Sequence, residues 1–84
     1  MIRFTAYAEK RMQRRSLSSE TVTAVLERPE QIAEERGRKI AQSRYRSGKG
    51  KEHLLRVVFE EANDDKLVIT VYDTSKVRKY WRTQ

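Results

Sequence analysis

The chain carries few side chains that can move a proton near neutral pH. His53 is its single histidine, and histidine is the side chain whose ordinary pKa lies closest to neutrality. A metal-free attack on a phosphodiester needs one group that takes a proton, one that returns a proton, and cations that stabilise the charge gathering on phosphorus. His53 is therefore the predicted proton-transfer residue, and the alternative is an ordinary surface histidine at a strand edge. Tyr7, Tyr45 and Tyr72 are alternative proton carriers.

Arg56 is the most informative of the cations. It interrupts the apolar run over residues 54–59, and a guanidinium group is costly to bury without a partner. Arg56 must therefore emerge on the solvent side of a sheet or pair with an acid such as Glu9 or Glu60. A phosphate contact and a fixed salt bridge are both consistent with this position.

The composition favours a polyanionic partner. Nineteen Lys and Arg against twelve Asp and Glu give the 84 residues a formal charge of +7, which attracts nucleic acid to the surface. RNA is the predicted partner, and the alternative is that the excess charge only keeps a small domain in solution. No membrane partner is expected, because the basic stretches are not paired with a broad apolar helix face. The lack of cysteine excludes disulfides and thiol chemistry and favours a cytoplasmic location.

Several cations are spaced so that RNA could lie along them. Arg44 and Arg46 share one face of a predicted strand because alternate side chains point the same way. Tyr45 between them offers a ring on which a base can stack, although tyrosine is also typical of sheet packing. The predicted RNA contacts are Arg14, Arg15, Arg38, Arg44, Tyr45, Arg46, Lys49 and Lys51.

The acidic residues do not predict a metal site. Asp64 and Asp65 fall in a turn, and the adjacent glutamates at 34–35 and 60–61 would point to opposite faces of a strand. The sequence contains neither a GxxxxGK[ST] loop nor a GxGxxG motif that would hold phosphates. We therefore expect no metal and no cofactor.

The elements that must position these side chains divide at Pro29. Before it, the spacing of Phe4, Ala8 and Met12 predicts a helix over residues 6–15, and Ser18 is suited to cap a second helix that the proline ends. After it, β-branched and apolar runs between turn residues predict strands. The predicted strands cover residues 31–35, 38–46, 53–61 and 66–72, and a basic loop covers residues 47–51.

The two ends of the chain are less clearly patterned. Residues 2–5 are consistent with either a short strand or a lead-in to the first helix. Residues 73–84 form a predicted C-terminal tail, whose Trp81 either returns to the core or meets a partner. Together the elements predict one α+β domain over residues 1–84, with two N-terminal helices packed on a three- to four-stranded antiparallel sheet.

Residues 7–18 resemble the opening of a family of small prokaryotic domains of unassigned function, in which His-Ala, Arg-Met and Arg-Gly-Ile-Ser follow one another. The matching letters here are Tyr7-Ala8, Arg11-Met12 and Arg15-Ser16-Leu17-Ser18. The Gly-Arg turn at 37–38 and the apolar hairpin at 55–72 are similar as well. The family looks like part of the superfold of RelE-type toxins, barnase and colicin ribonucleases, which implies a RelE-like fold and an RNA-cleaving or RNA-binding toxin module.

The resemblance gives Arg11 a role and also marks two departures. Arg11 corresponds to the family's Arg-Met, which implies a place in the site, whereas composition alone makes it part of a solvated helix face. Tyr7 replaces the family's histidine, and Ser16 replaces its glycine. If that histidine is catalytic in the family, this chain is expected to have lost or changed the activity.

Three functions are consistent with these observations. The first is a toxin-type endoribonuclease that needs no metal, in which His53 or a tyrosine moves protons and arginines hold phosphate. The second is a non-catalytic RNA-binding or ribosome-associated module, and the third is a basic domain that binds an acidic, antitoxin-like protein. The predicted catalytic residues are His53, Arg56 and Arg11.

Overall fold

One five-stranded sheet carries the elements of residues 1–46 and 48–83, the part of the chain that the computed structural model describes. The chain order is β1 (Ile2–Phe4), α1 (Ala6–Arg14), α2 (Ser19–Glu27), β2 (Gln31–Glu35), β3 (Arg38–Arg46), β4 (Glu52–Ala62), β5 (Asp65–Thr74) and α3 (Val77–Tyr80). The α+β class is confirmed. Ser47 of the predicted basic loop and Gln84 of the predicted tail lie outside the described residues.

The sheet has one more strand than predicted, and it is not purely antiparallel. Strands β2 to β5 form the predicted antiparallel meander. Strand β1 adds a fifth member that pairs in parallel with β5, placing Phe4 opposite Val68. The strand order is β1-β5-β4-β3-β2, so β1 and β2 occupy opposite edges and the two helices between them cross one face. A three-residue strand has too few positions for a readable pattern, which is why its pairing was not predicted.

Helices α1 and α2 begin at side-chain caps. The hydroxyl of Thr5 accepts a hydrogen bond from the backbone N–H of Ala8 at 3.0 Å. The hydroxyl of Ser18 accepts from Thr21 at 3.1 Å, which confirms the predicted cap. Helix α2 ends before Pro29 as expected, because proline has no N–H to continue the helical ladder.

Helix α1 ends in a turn that requires a left-handed residue. Leu17 donates its N–H to the carbonyl of Met12 at 2.9 Å, and Ser16 donates to Gln13 at 3.3 Å, which is the paired arrangement of a Schellman motif. Ser16, the first residue after the C-cap Arg15, has a φ of 54°. This conformation favours glycine, and it is the position at which the resembled family has glycine.

The face of the sheet under α1 and α2 holds the larger core. Alternation along the strands places Ala41, Val57 and Val71 on this side, which we call the helix face. Ala8 and Leu26 of the helices are almost completely buried against it. A buried side chain the size of valine or leucine contributes about 1.5–3 kcal/mol, so this layer contributes substantially to the stability of the domain.

The opposite face is covered by the end of the chain. It carries Gln42 and Arg56, which face each other in the β3–β4 register, and we call it the tail face. The C-terminal segment, residues 77–83, lies over it, and Gln42 Nε2 donates to the carbonyl of Tyr80 at 3.1 Å. The predicted tail therefore returns to the sheet, and β5 extends through Thr74 before the tail begins.

We predict that Ser16→Gly stabilises the domain. Glycine reaches φ near 54° without a Cβ penalty, and the gain is about 0.5–1 kcal/mol after the larger entropy of the unfolded chain is subtracted. Urea unfolding followed by circular dichroism measures the change. Ser75→Gly is the matched control, because Ser75 is exposed and its φ is not positive; a gain of the same size in both variants would contradict the explanation.

Candidate functional site

A histidine, a tyrosine and an acid meet at one end of the helix face. The β3–β4 register pairs Tyr45 with His53, and their ring centroids lie 5.6 Å apart. Asp73 of β5 completes the group: the Tyr45 hydroxyl donates to Asp73 Oδ2 at 3.1 Å, and His53 Nδ1 lies 3.8 Å from the same oxygen. Three adjacent strands therefore build what we call the His53 cluster.

Asp73 is not among the site residues that the sequence predicts, because the apolar run of β5 ends near Tyr72 and the predicted tail begins at residue 73. The strand continues, and Asp73 pairs with Leu55. Asp73 lies two positions after Val71, a core residue, so strand alternation extended by one step would have placed it on the helix face.

The His53 cluster contains two polar atoms that form no hydrogen bond with the described residues. His53 Nδ1 and Asp73 Oδ1 are both buried, and neither has a hydrogen bond there. The 3.8 Å separation between His53 Nδ1 and Asp73 Oδ2 exceeds hydrogen-bonding distance. A carboxylate facing Nδ1 favours the tautomer with its proton on that nitrogen, which leaves Nε2 as the nitrogen able to accept a proton from a ligand.

Two arginines of the first helix region lie beside this cluster. Arg15 Nε is 3.7 Å from Asp73 Oδ1, and Arg11 Nε donates to the carbonyl of Val71 at 3.1 Å. The two residues are four apart and therefore share a side of the helix. Arg11 is thus partly committed to the β5 backbone, whereas the Arg15 side chain is half exposed. Arg14, also predicted to bind RNA, is exposed on α1.

The tyrosines are poor candidates for taking a proton. Burial raises the pKa of Tyr45, and the nearby Asp73 raises that pKa further. Burial also raises the pKa of Tyr72, although Arg56 opposes the shift. Both hydroxyls therefore stay protonated at neutral pH. The Tyr45 hydroxyl donates to Asp73, and the Tyr72 hydroxyl accepts from Arg56. Tyr7 is 60% exposed on α1.

The β3–β4 hairpin continues the basic surface past His53. Arg46 pairs with Glu52 in the register, next to the Tyr45–His53 pair, and Arg46 Nη1 donates to the carbonyl of Gly50 at 3.0 Å. Lys49 and Lys51 in the loop are exposed. These predicted RNA contacts therefore stand at the same end of the sheet as the His53 cluster.

Arg56 lies on the tail face, where its guanidinium group is fully buried. Its Nε donates to Gln42 Oε1 at 2.8 Å, its Nη2 donates to Glu35 Oε2 at 2.9 Å, and its Nη1 donates to the hydroxyl of Tyr72. The guanidinium carbon also lies 4.4 Å from the centre of the Tyr80 ring. Every nitrogen of the group therefore has a partner within the domain.

The prediction for the partner of Arg56 is corrected by this arrangement. Glu35 is the acid that pairs with it, rather than Glu9 or Glu60, and the side chain does not emerge into solvent. Arg56 and His53 are three residues apart on one strand, so they project to opposite faces. The structure does not bring these two predicted catalytic residues together.

Two further predicted RNA contacts already pair with acids. Arg44 Nη2 lies 3.2 Å from Glu30 Oε2, and the hydrogen bond from Arg44 holds the pKa of Glu30 below its usual value. Arg38 Nη2 lies 3.8 Å from Glu60 Oε1, at the other end of β3. Exposed pairs of this kind contribute about 0–1 kcal/mol, so Arg44, at the hairpin end of β3, can exchange its partner for a phosphate, whereas Arg38 lies away from the His53 cluster.

The described part of the chain has neither a cluster of metal ligands nor a long apolar helix. No group of three or more His, Asp or Glu side chains lies close enough together there to hold a metal ion. Within residues 1–46 and 48–83, no helix has the length and apolar character needed to cross a membrane.

The sequence profile of DUF4258, a domain of unknown function, matches residues 4–73. The chain belongs to the DUF4258 family. The DUF4258 match runs from Phe4 to Asp73, so it includes α1 and the whole His53 cluster and ends before the C-terminal segment. No curated protein and no solved structure gives a match to the chain.

We predict that Arg56→Ala destabilises the domain by about 3–5 kcal/mol, because Gln42 and Tyr72 lose a buried partner and a cavity opens beneath Tyr80. Equilibrium urea unfolding measures the loss. Arg38→Ala removes the same charge from an exposed pair and should cost less than about 1 kcal/mol. Equal losses in the two variants would show that the buried network does not hold the tail face together.

We predict that Glu35 makes stability depend on acid pH. The hydrogen bond from Arg56 lowers the pKa of Glu35 in the folded state. Because this pKa is lower in the folded state, ionised Glu35 stabilises the fold at pH values above the ordinary pKa of glutamate, about 4.3. The contribution disappears as the pH falls through the pKa of the folded state. Urea midpoints measured from pH 6 to pH 3 should therefore fall less steeply in Glu35→Gln than in the unmodified protein, and parallel curves would refute the assignment.

Proposed function

We propose that this domain binds single-stranded RNA at the hairpin end of its sheet and cuts it without a metal ion. The observation that carries the proposal is the convergence of His53, Asp73 and Arg15 beside an exposed basic loop. A proton acceptor, a carboxylate that can orient it and a cation are the groups that this chemistry requires. We also propose that the domain acts in the cytoplasm and that its fold is RelE-like.

His53 acts in this proposal as the general base. Nε2 takes the proton of a ribose 2′-hydroxyl, the resulting oxygen attacks the adjacent phosphorus, and the 5′-oxygen leaves with a proton from solvent. The products are a 2′,3′-cyclic phosphate and a 5′-hydroxyl. Asp73 faces Nδ1 and stabilises the imidazolium that forms, as a carboxylate does when it orients a catalytic histidine. Tyr45 donates to Asp73 and keeps that carboxylate in place.

The nearby arginines supply the positive charge. Arg15 is half exposed and makes only a 3.7 Å contact with Asp73, so it can turn toward a phosphate that develops extra charge. Arg11 binds the Val71 carbonyl and acts as a fixed charge. Arg14 and the loop lysines Lys49 and Lys51 extend the surface along which the RNA backbone lies.

Tyr7 stands where the family that residues 7–18 resemble has histidine. It is four residues before Arg11 and eight before Arg15, so all three share one side of the first helix. Tyr7 lies about 12 Å along the helix from Arg15, and it is exposed. This chain therefore relies on His53 for proton transfer, and Tyr7 offers a ring for base stacking.

A non-catalytic binding module is the second candidate, because Nδ1 of His53 and Oδ2 of Asp73 are 3.8 Å apart and do not form a hydrogen bond in the free protein. The same exposed cations could also attract an acidic, antitoxin-like protein. A partner of that kind would compete with RNA, and a polyglutamate peptide provides a simple competitor with which to measure the overlap.

We predict that the protein cleaves single-stranded RNA in the presence of a chelator and that His53→Ala slows cleavage by about 100-fold or more, the usual contribution of a positioned general base. Gel analysis of a labelled oligonucleotide measures the rate, and detection of a 2′,3′-cyclic phosphate identifies the reaction. The variant should bind RNA as tightly as the unmodified protein.

Arg38→Ala is the matched control, since Arg38 lies at the far end of β3 and its loss should leave the cleavage rate unchanged. Intact RNA together with salt-sensitive binding would reject the enzyme and favour the binding module. Equal cleavage by the protein and by His53→Ala would reject the role given to His53.

A further inference from the structure

A second surface at the hairpin end of the sheet has the properties of a base-binding groove. It lies on the tail face, has a volume of about 410 Å³, and is lined by Arg44, Glu52, Val77, Arg78, Trp81 and Thr83. Sites that bind small ligands have volumes of about 300–1,000 Å³ and combine apolar walls with a few polar groups. We call this surface the Trp81 groove.

Trp81 is held rigidly at the edge of this groove. The carbonyl of Tyr80 accepts from Gln42 at 3.1 Å, and the N–H of Arg82 donates to Gln31 Oε1 at 3.0 Å. The residues on both sides of Trp81 are therefore fixed to the sheet. A ring that is already ordered loses little conformational entropy when a ligand stacks on it.

Arg44 gives the ring a cationic neighbour. Its guanidinium carbon lies 4.3 Å from the centre of the Trp81 ring, while Glu30 holds the same group from the side at 3.2 Å. Trp81 is only partly buried and lines the groove. Proteins that bind single-stranded nucleic acid commonly place aromatic rings beside arginines. The bases stack on the rings, and the arginines neutralise the backbone phosphates.

The groove and the His53 cluster are close along the chain but face opposite ways. Arg44 and Glu52 line the groove, while Tyr45 and His53, their immediate neighbours, belong to the cluster. Adjacent strand residues project to opposite faces, so the hairpin between them separates the two surfaces. Lys49 and Lys51 stand at that boundary and are exposed.

We propose that the Trp81 groove binds one nucleobase of a single-stranded RNA that passes around the β3–β4 hairpin from the His53 cluster. This inference rests on the proposed function and extends it by a second contact. Trp81 supplies the stacking surface, Arg44 and Arg78 supply positive charge for the flanking phosphates, and the Glu52 carboxylate accepts from an exocyclic amine of the base.

Trp81 also reports on its own occupancy, because it is the only tryptophan in the chain. The probe is 2′-O-methyl hexacytidylate, which has bases with exocyclic amines and no 2′-hydroxyl to be cut. It should quench Trp81 fluorescence in a saturable manner. Inorganic polyphosphate, which has charge but no bases, should leave the fluorescence near that of the free protein.

Variants of the groove give the second measurement. Trp81→Ala should weaken binding of the fluorescein-labelled probe, followed by anisotropy, by about 5- to 150-fold, the range expected for losing one stacked base. Trp81→Phe should lose less, because a smaller ring remains. Arg78→Ala should weaken binding more than Arg38→Ala, although both remove one exposed arginine charge. The reason is that Arg78 lines the groove and Arg38 does not.

The outcomes separate this proposal from the proposed function. A probe that binds without changing Trp81 fluorescence would overturn the groove and leave RNA binding intact, as would equal weakening by Arg78→Ala and Arg38→Ala. A probe that quenches Trp81 while natural RNA stays uncut would support the groove and reject cleavage. A probe that does not bind in either measurement would overturn both.

Discussion

The tail face depends on the hydrogen bonds that the buried guanidinium group of Arg56 donates. A charged group with no exposed surface is tolerated only where its hydrogen bonds are satisfied and a counter-charge is present. Gln42, Glu35 and Tyr72 meet that requirement from three strands, and Tyr80 of the C-terminal segment lies against the guanidinium plane. The buried charge therefore requires polar partners around it, and its contact with Tyr80 helps to position the C-terminal segment.

This arrangement explains how so small a domain covers both sides of a sheet. The helix face is closed by apolar burial, which has little directional preference. The tail face also buries Ile40 and Leu54, but directional hydrogen bonds fix the C-terminal segment on it, and Arg82 adds a second arginine on the same Glu35 oxygen at 2.8 Å. The polar network leaves one definite path for the C-terminal segment, so residues outside the DUF4258 match still have fixed places.

Much of the secondary structure could be predicted because it follows from local rules. Ser18 caps a helix, Pro29 ends one, and the bend at Arg36-Gly37 separates β2 from β3 with the bounds that the structure has. The parallel pairing of β1 with β5 could not be predicted, since it joins segments from nearly opposite ends of the chain through backbone groups that every residue type possesses. The turn at Ser16 could be predicted only in part. The resemblance indicates glycine at this position, and the positive φ in the structure gives the physical reason.

The amino-acid sequence by itself determined the charge of the domain, the types of group available for chemistry, and the strands that carry them. Only the tertiary structure decided that His53 would meet Asp73 and Arg15, while Arg56, three residues along the same strand, would be buried on the other face. The physical reason is that strand register and sheet order choose the neighbours of each side chain. Local propensity determines only which segment forms the strand that carries the side chain.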